Sequence, residues 1–468
     1  MRVRVLLKVG SILLTVFVVL EMGGFIKTDL TKLLDPFEKA TKVNVQFVEV
    51  DNTKDNTVHP IDEYIATQTT EGSSLHNLLL TLKGHSLPEA YGDTISTKED
   101  VDTETQRCAR YGYEYNPSIT KRRRIFMGSL IADDTWHVIA AHAAEAYGLY
   151  HTVAFVESNT TQTQTKRETN FDTGSLNWKM LQSGIFGPKT DVYVDFRVDS
   201  AKDFPDLRPI LRENVQREHI TRRWKAAGMQ RDDIGIVSDV DEVFTRDFLL
   251  ALQSCDIPQF RPGQDCFRPQ VTGQGLFFES TPECQYAKKP AYFHRPNAII
   301  GECVDRIGDR SIHTPGLRKI RPFEGGHILG SRNFDKFPNR TMYPLWQPWD
   351  FRNSPIDENL ALHDGRMHTA YHFHNFFESL EVFRHKYSTY GHAVKDAETL
   401  PLGQLHNLVK DLVICLKGVD GRHGGFEDFE GRRPILYENE LYRKTRQEEM
   451  IKELEADEKM FGTNVDGS

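Results

Sequence analysis

None of the six cysteines, Cys108, Cys255, Cys266, Cys284, Cys303 and Cys415, stands in a Cys-x-x-Cys spacing. That argues against a structural zinc site, which gathers thiolates at such short intervals. An even number suits disulfides in an oxidising compartment. Four of the six fall between 255 and 303, so pairing within that stretch is expected, with the connectivity open. Positive charge is not in excess either. The 58 Lys and Arg against 67 Asp and Glu leave a formal net charge of -9. Such a balance gives no electrostatic case for a nucleic-acid partner. Long apolar runs are scarce from 27 to 120, where only patches such as 43–48 and 75–82 break a chain rich in Thr, Asp, Lys and Glu. That composition builds little core and reads as a stem over 27–124. A good small-x-small cleavage site is missing near the N-terminus.

What is present at the N-terminus is Arg2, Arg4 and Lys8, followed by a mostly apolar stretch over 9–26 interrupted by Glu21. About 18 residues is short for a membrane span and is also in the range of a signal peptide. With basic residues before it and none directly after, an uncleaved signal-anchor with a cytoplasmic tail of residues 1–8 is expected, over a cleaved signal peptide. The rest is 39% hydrophobic and 27% charged over 468 residues, which allows one large domain plus appendages.

The compact part is expected from about 125 to 435. Residues 136–147 are Ala-rich with helical spacing and end at Gly148. Strands are predicted at 152–156, 191–196 and 234–237, with a helix over 211–227 closed by Gly228. Strand, helix and strand with turn signals between them argue for a parallel sheet with right-handed crossovers. A short helix follows at 247–252. Beyond Cys255 the chain is loop-rich, with strands at 275–278 and 291–293 and a helix over 376–387. The tail, 436–468, is charged with helical periodicity. The basic run at 121–124 reads as a solvated boundary, and Asn159-Thr160-Thr161 and Asn339-Arg340-Thr341 are glycosylation sequons.

The chemistry concentrates where the run Ile234 to Val237 ends in Ser238-Asp239-Val240-Asp241-Glu242. Apolar then acidic is what a buried parallel strand looks like when it delivers charge to the carboxyl edge of a sheet. If strand geometry continues, Asp239 and Asp241 point the same way and reach one hard cation. A solvated strand-end turn is the plain alternative. Tyr371-His372-Phe373-His374-Asn375-Phe376-Phe377 is dense in His and aromatics, either a ligand segment or an aromatic core.

Three segments together resemble glycosyltransferase family 17, the family of the β-1,4-mannosyl-glycoprotein β-1,4-N-acetylglucosaminyltransferase. The first is Val156-Glu157-Ser158-Asn159. The second is the ordered succession Arg217-Glu218, Arg222-Arg223, Asp232-Asp233 and Ser238-Asp239-Val240-Asp241-Glu242. The third is Tyr371-His372 with its aromatics and Lys386 downstream. The resemblance spans roughly 130–395. It departs from the family at Thr369-Ala370-Tyr371, where a Gly-Gly-Trp is usual, and at Val243-Phe244. It implies an α/β, GT-A-like fold, a Rossmann-type mostly parallel sheet flanked by helices, with a loop-rich acceptor half and an N-terminal membrane anchor. It implies inverting transfer of N-acetylglucosamine from UDP-GlcNAc to a glycan or glycoprotein acceptor, in the Golgi, by a single-pass type II protein with a luminal catalytic domain. Mn2+, or Mg2+, is the implied cofactor. Asp241 is then the direct ligand and Asp239 reaches the ribose or a metal-bound water. Glu242 orients the loop, and His372 completes the metal shell, with His374 as the alternative. Glu157, Arg217, Arg222 and Lys386 are implied at the donor, the arginines and Lys386 having plain structural readings beside that one. For the general base that an inverting transfer needs, Glu302, Asp305 and Asp309 follow the apolar 298–300, and Glu279 is a fourth. Nothing in the spacing selects among them. The rivals are the same fold with another UDP-sugar or acceptor, a catalytically silent luminal binding protein, and a metal-dependent hydrolase.

Overall fold

The computed structural model describes residues 58–87, 94–197, 209–261, 270–285, 295–304, 307, 368–390, 393–402, 404–405 and 433–462. Its helices are α1 Pro60–Gln68, α2 Ser74–Lys83, α3 Lys98–Arg110, α4 Trp136–Ala146, α5 Leu176–Gln182, α6 Pro209–Ala226, α7 Arg246–Ser254, α8 Leu380–Thr389 and α9 Glu440–Phe461. The strands are β1 Glu114–Tyr115, β2 Ile125–Leu130, β3 Tyr150–Ser158, β4 Asp191–Arg197, β5 Ile234–Val237, β6 Glu242–Phe244, β7 Cys255–Asp256, β8 Gln270–Thr272, β9 Gly275–Glu279, β10 Thr281–Gln285, β11 Asn297–Ile300 and β12 Ala370–His374.

The main sheet has the order β4-β3-β2-β5-β11-β8. Its first four strands are mutually parallel, as the alternation of strands and helices predicts, while β11 runs antiparallel to both β5 and β8. A second sheet, β10-β9-β12-β6, stands beside it, and β1 pairs with β7. The chain winds from β2 to β3 to β4 and then returns to place β5 on the other side of β2. The order therefore reverses between β2 and β5, and a crevice opens at the carboxyl ends of those two strands.

Helix α4 follows β2 and is buried along its whole length. Helix α6 lies so close to the sheet that two strand positions have no room for a side chain. A Cβ on Gly128 would overlap Ile220, and one on Gly235 would lie 2.5 Å from the Trp224 ring. The Trp224 indole donates to the Met127 carbonyl at 3.1 Å, fixing that approach.

The stem expected at 27–124 has no counterpart from residue 58 onward. Leu75, Leu78, Leu79 and Leu82 on α2 are buried in the main core. Their spacing at i, i+3, i+4 and i+7 is that of an amphipathic helix, so a short apolar patch sufficed to dock it. Helix α3 is tied down by a Cys108–Cys255 disulfide, which crosses the expected boundary at 124/125. Cys284 and Cys303 are also disulfide-bonded. The basic run is not a solvated boundary either. Arg122 pairs with buried Glu104 at 2.6 Å, Arg123 donates to the Leu252 and Cys255 carbonyls, and Arg124 pairs with Asp233. The charged tail is helical as predicted, but Arg446, Met450 and Leu454 of α9 are buried, so it is packed rather than free. The anchor at 9–26, the patch at 43–48, the strand at 291–293, Cys266, Cys415 and Asn339 lie outside the described residues. Among the described residues no helix is long and apolar enough to cross a membrane.

Candidate active site at the sheet switch point

After Val237 the ladder runs one residue further, Ser238 N–H donating to the Gly128 carbonyl at 3.2 Å. The chain then turns. Glu242 N–H donates to the Asp239 carbonyl at 3.0 Å, and the Glu242 carboxylate accepts from Asp239 N–H at 3.0 Å. This turn overrides the alternation on which the Asp239–Asp241 pairing was read. Glu242 opens β6, where it stands opposite His372 of β12, and Phe373 N–H donates to the Asp241 carbonyl at 2.7 Å. His372 Nε2 comes to lie 3.5 Å from Asp241 Oδ2. One ligand atom from each of Asp241, Glu242 and His372 lies within 4.8 Å of the others. The cluster therefore contains Glu242 where sequence reasoning placed Asp239. The Asp239 side chain instead pairs with Arg217, which is buried and also holds Glu213 at 2.5 Å.

The second sheet explains why histidines and not their neighbours reach this point. On β12, Tyr371 and Phe373 turn into the aromatic core, where Phe373 and Tyr437 lie 5.1 Å apart. His372 and His374, two residues apart, take the other face. Phe277 of β9 packs against both rings, 4.8 Å from the first and 5.0 Å from the second, and the two imidazoles lie 5.2 Å apart. Burial lowers His372 below the ordinary imidazole value, against the pull of Asp241, so its ring is neutral near pH 7 and offers a lone pair. His374 Nδ1 is 2.7 Å from Glu279, whose other oxygen accepts from Asn375 at 2.7 Å. Asn375, at φ 55°, is held in turn by the Tyr387 hydroxyl at 3.2 Å.

Across the crevice, β2 is followed after Ile131 by Ala132-Asp133-Asp134. One Asp134 oxygen accepts from Ala132 N–H at 2.9 Å. Burial pushes the Asp134 carboxyl up to about 6, with Asp241 adding to the rise and Lys386 opposing it. The positive charge of Lys386 favours the ionised form of Asp241 as well. Its Nζ lies 4.9 Å from the centre of the Phe377 ring. The signal that finds Asp134 is an apolar strand running into acids, the same one that marks Asp239.

Three expected site residues fall elsewhere. Glu302 is at the opposite edge, because β11 runs antiparallel to β5 and Ile300 pairs with Ile234. There it is buried and binds Arg231 at 2.6 Å, which rules it out as a base for this crevice. Arg222 is exposed on α6 while Arg217 is buried, since five residues turn a helix by about 140°. Glu157 lies at the end of β3 but is fully buried, accepting from Asn170 N–H at 2.7 Å and Phe171 N–H at 3.0 Å. It shapes the loop beside the crevice rather than facing it. Asp305 and Asp309 lie outside the described residues. Of the four base candidates, Glu279 is the one the described structure brings next to His372's strand.

A reversing α/β sheet binds its ligand in the crevice at the switch point, which is where the carboxylates and imidazole gather here. Residues 88–261 match the family model of Glycosyltransferase family 17. That segment carries β2 to β7 and the Asp239–Glu242 turn, and its match supports a family 17 glycosyltransferase reading of the chain. The match begins inside the stretch expected to be a stem, in agreement with the packing of α3. No curated protein and no solved structure matches the chain.

Proposed function

We propose that the protein is an inverting, metal-dependent transferase that moves N-acetylglucosamine from UDP-GlcNAc to a glycan, the β-linked mannose of N-glycans being the acceptor. The observation that carries this reading is the Asp241–Glu242–His372 cluster at the β2/β5 switch point. Two carboxylates and one neutral imidazole, with ligand atoms within 4.8 Å, fit a divalent ion of the Mn2+ or Mg2+ type. Such an ion, when bound, offsets the negative charge that grows on a departing diphosphate.

The chain's own residues do the rest. Asp241, Glu242 and His372 form the binding set. Asp239, steadied by Arg217, stands next to it as an acceptor for a ribose hydroxyl or a metal-bound water. Lys386, and Arg217 behind Asp239, put positive charge around an otherwise acidic crevice where a diphosphate would lie. Inversion requires the acceptor hydroxyl to approach opposite the leaving diphosphate and to lose its proton there. Glu279 is the described base candidate on that sheet. We further propose that residues 9–26 anchor the chain in the Golgi membrane with the rest luminal. The disulfides support an oxidising compartment.

The test is a donor-by-acceptor screen on the full chain, with UDP release and UDP binding followed with and without Mn2+. UDP release that requires Mn2+, UDP-GlcNAc and a glycan is the expected result. Failure to bind UDP with Mn2+ present overturns the reading. Hydrolysis indifferent to acceptor would replace it with a hydrolase, and binding without release with a silent protein.

A further inference from the structure

Helix α4 is buried throughout, yet it carries His137, His142 and Glu145 among its alanines. A buried polar side chain costs free energy unless its bonds are met, so what each one holds is informative. His137 Nδ1 reaches the Tyr442 hydroxyl at 3.2 Å, and Glu145 accepts from Arg246 N–H and Ile435 N–H. Both serve packing between helices and loops. His142 is different, because it reaches the turn of the crevice. Its Nδ1 lies 2.9 Å from the Val240 carbonyl and its Nε2 lies 3.1 Å from the Tyr150 hydroxyl. A carbonyl only accepts, so Nδ1 carries the proton and Nε2 accepts from Tyr150. Burial lowers the imidazole to about 4, which keeps this neutral form across the working pH range.

Three successive carbonyls of the turn thus have three different anchors. Asp239 is held locally by Glu242 N–H, Val240 by the His142 side chain, and Asp241 by Phe373 N–H of β12. The Val240 carbonyl belongs to the peptide that precedes Asp241. Fixing that peptide plane fixes the direction in which the Asp241 carboxylate leaves the backbone. Phe186 packs edge-on against the ring, 6.1 Å between centroids, so an apolar residue would be accommodated there. Packing alone does not call for an imidazole.

We propose that His142 is a positioning residue of the donor site, which aims Asp241 at His372 by holding the Val240 carbonyl. This rests on the metal-dependent reading of the cluster. Because Asn places its amide nitrogen where His places Nδ1, His142→Asn keeps the donor to Val240. His142→Gln reaches instead toward the Nε2 position, and His142→Leu has no donor.

The test uses the full chain and the probe pair Mn2+ and UDP. Bound Mn2+ is read by electron paramagnetic resonance and UDP affinity by calorimetry, with thermal unfolding as the fold control. His142→Leu is expected to weaken Mn2+-dependent UDP binding about tenfold, the scale of one lost hydrogen bond, while unfolding cooperatively. His142→Asn is expected to stay within about threefold of wild type. Wild-type affinity in His142→Leu overturns the proposal, as does equal weakening in Leu and Asn. Should the Leu variant not fold, Asn against Gln decides: tight Asn with weak Gln supports it, equal affinities overturn it. A wild-type chain that binds no Mn2+ with UDP removes the metal reading itself, an outcome separate from loss of the His142 effect alone.

Discussion

At the amino edge of the main sheet three buried acids are matched by arginines. Asp233 holds Arg124 in a two-pronged pair, Glu302 holds Arg231, and Glu104 is shared by Arg107 and Arg122. At the carboxyl edge Asp239 also has Arg217, but Asp241 and Glu242 gather around His372, and Asp134 acts on Asp241 from across the crevice. The acids are Asp and Glu at both edges, and it is their partners that differ. Matched charge welds loops to the sheet, whereas gathered acid costs repulsion, which the cation of the proposed metal-dependent reading would relieve.

The sharpest way to break this contrast is one substitution at each edge. Asp241→Asn is expected to lower Mn2+-dependent turnover by about 10²- to 10³-fold, with little change in thermal midpoint. Activity like wild type in steady-state assays would remove Asp241 from the metal set. Asp233→Asn is expected to do the reverse. It loses the Arg124 pair and weakens the bond from Gln230 N–H at 2.6 Å. About 3 kcal/mol of stability should disappear in urea titration, with UDP affinity unchanged. A change in UDP affinity without loss of stability would mean the two edges are not distinct in role.

A third effect concerns an acid that belongs to neither edge. Glu145 is buried and its carboxyl is pushed up to about 7 by desolvation, although two backbone N–H groups donate to it. The folded protein therefore binds this proton more tightly than the unfolded chain. The stabilisation is complete below about pH 4.5 and is lost as pH rises through 7, a fall of about 3 kcal/mol. The difference in stability between wild type and Glu145→Gln, measured by urea unfolding from pH 4.5 to 7.5, is expected to change by that amount. A difference flat in pH would show that the carboxyl is not perturbed.

Much of the donor half was legible in residues. Ile234 to Val237 followed by acids marked both the strand and its carboxyl edge, and helix α4 was plain from its alanines and Gly148. What failed was geometry beyond a single element. Asp239 and Asp241 were read as a strand pair, but the turn closed by Glu242 presents residues 241 and 242 together. Glu302 was placed at the site because acids after an apolar run look alike at either edge. The direction of β11, set by pairing with β5, decides which edge it is. Residues 58–124 were assigned to a stem on overall polarity, although four leucines at helical spacing and one cysteine were enough to dock them. Asp134 was missed because β2 was not recognised as a strand. His142 was missed because nothing local distinguishes a histidine that holds a distant carbonyl from one that merely fills a core.

The measurement that bears most directly on the contrast is the anomalous scattering of Mn2+ in crystals of the full chain grown with UDP. The expected result is a peak within bonding distance of Asp241, Glu242 and His372. A peak elsewhere, or none with UDP bound in the crevice, would contradict the assignment of the carboxyl edge as the metal site.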